Sequence, residues 1–291
     1  MRYLLLAALG LVAAAAAAND GILEREAGGL VFKHNDQIDM LSEDLYVSLE
    51  QVRVRYRFRN RTPQDLRLTV GFPLPDHDLR ADFYGDTAYP TNFRTLADGR
   101  PVAMQVEHRA FWQGVEHTER LNRLRIPIMY GDDDNLEPIE RALSALPQAE
   151  QDRLLALGLV EPFDEPREGR RLTPLWTVRE TWYWEQVFPA GRDLVIEHSY
   201  NPGAGGSVMT ALTPDLRSGD YGAENAREMT ERYCIEPDFL AALDRGWAGG
   251  RRPFSEHRVS YILTTGAGWR SPIGEFRLVV DKGRPENLVS F

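Results

Sequence analysis

Four arginines, Arg53, Arg55, Arg57 and Arg59, stand two residues apart in the run V-R-V-R-Y-R-F-R-N. On an extended strand they share one face, because side chains alternate with period two. A guanidinium is a planar fork that binds carboxylate or phosphate through paired hydrogen bonds. Such a row suits one of two tasks. It forms a solvated ladder with carboxylates of neighbouring strands, or it docks an anionic polymer or an acidic partner. A second row is aromatic: Trp182, Trp184 and Phe188 fall on one strand face, with Gln186 among them. Rows of this kind stack on sugars or grip peptides, and they also fill β cores. Core is the expected use, with Trp182 and Trp184 kept as binding candidates.

Other clusters carry less. Asp76-His77-Asp78 offers three adjacent metal-ligand types, but adjacent side chains rarely face one ion, and zinc sites draw ligands at wider spacing. The run Asp132-Asp133-Asp134-Asn135 invites calcium. An EF-hand loop needs Gly at its sixth place and Glu at its twelfth, where this chain has Glu137 and Leu143. The expected role of that run is negative charge at a helix N-terminus. No G-x-S-x-G occurs, and the Gly203 to Ser207 loop lacks the G-K-[ST] of a phosphate loop. No metal site, cofactor or catalytic residue is therefore expected.

The chain has 291 residues, 43% of them hydrophobic, enough for two ordinary domains or one large β domain. Residues 1–18 read as an export signal: Arg2, an apolar run from Tyr3, then Ala16-Ala17-Ala18 before a cleavage point ahead of Asn19. That apolar run is shorter than the ~20 residues a spanning helix needs. No later stretch is long and apolar enough to span, and no Cys follows the cleavage point to carry a lipid. The expected location is periplasmic or extracellular. Cleavage removes one basic residue and no acid, so the net charge goes from −10 to −11. This argues against nucleic-acid binding. Cys234 stands alone, as a buried hydrophobe or as half of a disulfide.

The elements that position these residues follow from patterning. Val52 to Phe58 and Leu66 to Phe72 alternate as two half-buried antiparallel strands around a turn at Pro63. Ile38 to Leu49 reads as a strand folding back through Glu50-Gln51, which sets Asp44 opposite Arg57 and Tyr46 opposite Arg55. Phe93 to Leu96 and Val102 to Phe111 read as a hairpin across Asp98-Gly99. Ile139, Ala142, Leu143 and Leu146 have helical spacing, and Pro147 opens a second helix that stops at Gly158. Glu161 to Pro174 reads as a linker. Strands return at Leu175 to Phe188, Asp193 to Tyr200, Val259 to Thr265 and Glu275 to Val280. Short helices are expected at Glu224 to Arg232 and Pro237 to Asp244. The division is thus a signal at 1–18, a β region at 19–130, a helical hairpin at 131–160 and a second β region at 172–291.

The segments S-E-D-L-Y-V-S, V-R-V-R-Y-R-F-R-N, G-F-P-L-P-D, W-Y-W-E-Q-V-F-P-A-G, Y-N-P-G-A-G-G-S-V and P-I-G-E-F-R-L-V-V-D-K-G resemble a bacterial exported family, domain of unknown function family 4424. The resemblance implies no activity, cofactor or site residue. It does imply a chain running past Phe291 with a Cys close behind, a partner for Cys234. The expected fold is mainly β, with antiparallel sandwich-like regions, an inserted helical hairpin and short helices. The expected function is a non-enzymatic exported module of the cell envelope for binding or assembly. An envelope hydrolase and a purely structural β protein are the alternatives.

Overall fold

A computed structural model describes residues 20–26, 29–80, 89–130, 136–163, 171–219, 222–248, 254–262 and 268–291. The strands in chain order begin with β1 (Gly21–Glu26), β2 (Gly29–Lys33), β3 (Ile38–Val47), β4 (Val52–Asn60), β5 (Leu66–Pro73) and β6 (His77–Asp78). Then come β7 (Thr91–Ala97), β8 (Arg100–Pro101), β9 (Gln105–Trp112), β10 (Val115–Glu116), β11 (Val160–Pro162) and β12 (Leu172–Pro174). The last are β13 (Thr177–Phe188), β14 (Asp193–Asn201), β15 (Gly205–Ser207), β16 (Glu256–Arg258) and β17 (Glu275–Val280). One sheet runs β10-β9-β13-β5-β1-β2, with β6 also on β13; the other runs β17-β3-β4-β14-β7-β8. Among the described residues the strand pairings are antiparallel except β17 with β3, and an isolated parallel bridge joins Asn60 to Ala190. The fold is mainly β, as patterning predicts.

The inner face of β4 shows why two sheets pack. Val52, Val54, Tyr56 and Phe58 are buried, while Arg53, Arg55 and Arg57 are exposed. Each buried side chain of this size contributes about 1.5–3 kcal/mol. The inner rows of β3, β4 and β14 meet Ile22, Val70, Phe72, Trp184 and Phe188 of the facing sheet in one core. A second core joins Ala110, Trp176 and Val178 to the helices Thr118–Arg123, Glu137–Ser144 and Gln148–Ala156. Gly158, at φ 68°, ends the last of these in the left-handed region where a Cβ is costly. A small third core forms among Leu212, Ala226, Ile235 and Leu243.

Several expectations give way. β4 and β5 do not pair; they lie in opposite sheets, and so do β13 and β14. The two expected β regions are therefore one sandwich, since β13 and β14 sit in the middle of sheets begun before the helical insertion. Asp44 lies opposite Arg55 and Tyr46 opposite Arg53. The shift arises because the β3–β4 turn takes four residues, with Ser48 N–H bonded to Gln51 O at 2.9 Å. The β7 hairpin closes on β8 through Asp98 and Gly99, both at positive φ. Pro101, which lacks an N–H, then helps release the chain to the other sheet as β9. The flanks of the expected linker pair as β11 and β12; residues 164–170 lie outside the described residues. Residues 259–262 form no strand, and 263–267 lie outside the described residues, as does the signal at 1–18.

Asn60 ties the two sheet crossovers together. It is 3% exposed, and its Nδ2 donates to Gln64 O at 2.8 Å and to Phe188 O at 2.9 Å. Its Oδ1 accepts from Thr62 N–H and Oγ1, both at 2.8 Å. All the hydrogen-bonding positions of a primary amide are thus used. Asn60→Ala, which strands the Phe188 carbonyl, is expected to lower unfolding free energy by about 1–3 kcal/mol. Asn60→Asp, which turns an acceptor toward two carbonyls, should cost more. Urea denaturation of the three proteins checks the order.

Candidate functional site

The arginine row is largely neutralised within the protein. Arg55 lies 3.4 Å from Glu197 and Arg57 lies 3.9 Å from Asp193, which also binds Arg59. Arg53 sits 4.4 Å over the Tyr46 ring. Asp44 is taken by Arg277 at 2.9 Å. The strip thus reads as a ladder of exposed pairs, each contributing ~0–1 kcal/mol.

The aromatic row divides. Trp184 and Phe188 are fully in the sandwich core, so neither is a surface for a ligand. Trp182 is half-buried and stacks on Phe93 with ring centroids 5.4 Å apart. Its cross-strand neighbour Val106 is 40% exposed. Both face inward on their sheet, where Phe93 of β7 in the opposite sheet covers only part of this stretch.

Next to Trp182 on the same face is Glu180, 4% exposed and lying between the sandwich core and the helical core. Its Oε1 accepts from Trp182 Nε1–H; its Oε2 accepts from the Tyr89 hydroxyl and contacts His108 Nε2. His108 is the residue directly across the strand pair, and its side chain is 31% exposed. No hydrogen bond reaches His108 Nδ1 among the described residues. With Nε2–H donating to Glu180, a neutral His108 presents Nδ1 as an acceptor. His77 and Tyr130 build the wall behind, joined at 2.9 Å, with the His77 ring 5.0 Å from that of Tyr89. A carboxylate that orients an imidazole, beside a stacked indole, can bind a ligand by hydrogen bonding and stacking or take a proton. Patterning singled out Trp182 but missed Glu180 and His108. The available signal was an acid at an inward position of Val178-x-Glu180-x-Trp182-x-Trp184.

A second polar line runs inside the sandwich. Thr95 Oγ1 lies 2.8 Å from His198 Nδ1, and His198 Nε2 lies 3.0 Å from Asp20 Oδ1. The order hydroxyl, imidazole, carboxylate is that of an acyl-transfer triad. The His198 and Asp20 side chains, however, are 0% exposed. No substrate reaches them in this structure. Ser207, near His198 in sequence, is not part of the line; its hydroxyl bonds Met209 O at 2.9 Å.

The remaining candidates disperse. Asp76 holds Arg179, His77 turns inward and Asp78 accepts from Arg80 N–H, so the three do not share a face. Among the described residues no group of three or more His, Cys, Asp or Glu could hold a metal ion. The run Asp132 to Asn135 lies outside the described residues. Cys234 is exposed, not buried, at φ 48°, and Ser290 Oγ donates to its carbonyl at 3.0 Å. A surface depression of about 370 Å³ runs along Val115 to Arg123. Burial and then the Arg120 charge hold its His117 below the usual imidazole range.

The sequence model of one protein family, described as Domain of unknown function (DUF4424), matches residues 18–291. A search of curated proteins returns no match. Among solved structures, a Legionella pneumophila protein described as nutrient binding is 12% identical, with a TM-score of 0.30. That alignment covers 64% of this chain and 42% of that one, so the chain spans less than half of its length.

The division of the aromatic row has a measurable consequence. Trp184→Ala should cost about 3–5 kcal/mol in urea unfolding, and Trp182→Ala clearly less. Arg55→Glu combined with Arg57→Glu should leave the protein folded, its far-UV circular dichroism unchanged.

Proposed function

We propose that this chain, which belongs to the family of Domain of unknown function (DUF4424), is an exported, non-enzymatic binding module of the bacterial cell envelope. Its ligand is held at the half-open node of Glu180, His108 and Trp182. The observation that carries this reading is the buried Glu180 carboxylate, which gathers Trp182, Tyr89 and His108 and leaves His108 Nδ1 uncommitted. A buried acid between two apolar cores is costly unless hydrogen-bonded, and here its partners lead outward to a stacked, partly exposed indole. That arrangement fits a ligand with one hydrogen-bond donor and one flat apolar face, such as a sugar or a short peptide. An anionic polymer gains no support from the arginine row, whose charges are mostly paired. Export rests on the pattern of residues 1–18.

The hydrolase alternative would place its chemistry on Thr95, His198 and Asp20. Their complete burial favours the binding reading.

The test is a nuclear magnetic resonance screen of the mature protein against sugars, peptidoglycan fragments and short peptides. Binding should shift the indole signal of Trp182. His108→Ala and Trp182→Ala should each weaken it about tenfold or more, an amount set by roughly 1.4 kcal/mol per decade. Shifts confined to residues away from this node would defeat the assignment.

A further inference from the structure

Inside the sandwich, three buried side-chain atoms have no hydrogen-bond partner among the described residues: Asp20 Oδ2, Glu43 Oε2 and Tyr200 Oη. Glu43 is the least expected of the three. It lies directly across from Tyr56 of β4, at an inward position of β3, and is 1% exposed. Met40 and Leu45 on β3 and Tyr56 on β4 all belong to the sandwich core. An ionised carboxylate is an acceptor at both oxygens and needs donors for each. Glu43 receives one bond, a long one, from Tyr261 Oη to its Oε1 at 3.4 Å. The same Tyr261 oxygen lies 3.1 Å from Tyr56 Oη. Glu43 Oε2 receives nothing.

The titratable groups around Glu43 come from four parts of the chain. Asp20 precedes β1, Tyr56 lies on β4, His198 and Tyr200 lie on β14, and Tyr261 follows β16. His198 serves Asp20, with Nε2 at 3.0 Å from Oδ1. Burial pushes the Asp20 carboxyl above the usual range, and the His198 charge and hydrogen bond pull the other way. Among the described residues no lysine or arginine acts on either acid. The charge that acts on Glu43 is therefore another acid. An ionised Glu43 would have neither a counter-ion nor a full set of donors, and a buried group in that condition keeps its proton instead. Burial, followed by the Asp20 charge, pushes the Glu43 carboxyl up to about 8. Burial also holds Tyr56 and Tyr261 well above the usual phenol range, so both stay neutral beside it.

We propose that Glu43 is a proton-operated switch built into the sandwich: it enters the core as a neutral carboxylic acid, with a proton taken from solvent on folding, and loss of that proton loosens the two sheets in mildly alkaline solution. The unfolded chain releases the Glu43 proton near the ordinary value of 4.5, and the folded chain releases it near 8. Between those values the folded chain binds more protons than the unfolded one. The stability contributed by the neutral acid is thus fully present below about pH 4.5, falls as pH rises, and is lost above about 8. Once the proton has left, the new charge is relieved only by water reaching Oε2, and water reaches a fully enclosed atom only if the strands around it part. His117 acts in the opposite sense. Burial and then the Arg120 charge hold it below the usual imidazole range, so its contribution grows as pH rises toward 6.5.

The test follows thermal unfolding of the purified protein and of Glu43→Gln from about pH 5 to 8.5, a range set by the two Glu43 values. Gln has the shape of the neutral acid and no proton to lose. The melting temperature of the native chain should fall by roughly 5–10 °C relative to that of the variant across this range. The contribution of His117 is common to both proteins and cancels in the difference. A second measurement reads the proton directly. The infrared spectrum of the folded native chain at neutral pH should contain the carbonyl band of a protonated carboxyl, which fades as the pH passes about 8 and is missing from Glu43→Gln. If the variant does not fold, the band of the native chain decides the case alone. Melting temperatures that run parallel, or a native spectrum without that band at neutral pH, would overturn the proposal. An ordered water donating to Glu43 Oε2 predicts both of those outcomes.

Discussion

One buried amide decides how the two sheets face each other. Asn60 stands where β4 leaves one sheet and where β13 delivers its last residue, Phe188, on the other. A side chain with two donors and one double acceptor is fully committed there, so neither crossover shifts without stranding a carbonyl. Register then propagates, because a slip of one residue would turn every inner side chain outward. The inward set of β13 follows from it, and β13 carries both the sandwich core and the Glu180 node.

Two polar constellations share this frame and differ in access. Thr95, His198 and Asp20 run across the sealed core, whereas Glu180 and His108 lie where one sheet outruns the other. The difference comes from sheet edges, not from residue type. Trp182 and Trp184 make the same point. They are two residues apart on one face, yet Trp184 is enclosed and Trp182 reaches the rim. The arginine row is the most conspicuous feature of the sequence, but its exposed pairs are weak beside the buried row on the other side of the same strand.

Local pattern revealed what local physics sets. The alternation of β4, the Asp98-Gly99 turn, and the helices bounded by Pro147 and Gly158 are all readable, because each depends on neighbours a few residues away. The crossovers at Asn60 and Ala190, the four-residue β3–β4 turn and the parallel placement of β17 were not readable. They depend on pairings between residues far apart. The polar sites fall between these limits. Glu43, Glu180 and His198 each interrupt an inward apolar series, which marks them as unusual. Their partners lie 178 residues away for His198 with Asp20 and 72 for Glu180 with His108, a span that pattern alone cannot bridge.

The sheet order also sets a schedule for folding. β4 is flanked by β3, which is near in sequence, and by β14, which begins 134 residues after Arg59. Trp269 closes over Asp20 from 249 residues away. Contacts of such long range make folding slow, since loop entropy is lost before pairing compensates it. A chain emerging amino end first therefore holds the β3–β4 hairpin with both edges open, β4 awaiting β14 and β3 awaiting β17, and its Val, Tyr and Phe row uncovered until β13 arrives. That interval exposes an unpaired, apolar strand edge to self-association. The arginines of β4 occupy the other face of the strand throughout it, and before Asp193 and Glu197 appear their mutual repulsion works against two such hairpins joining.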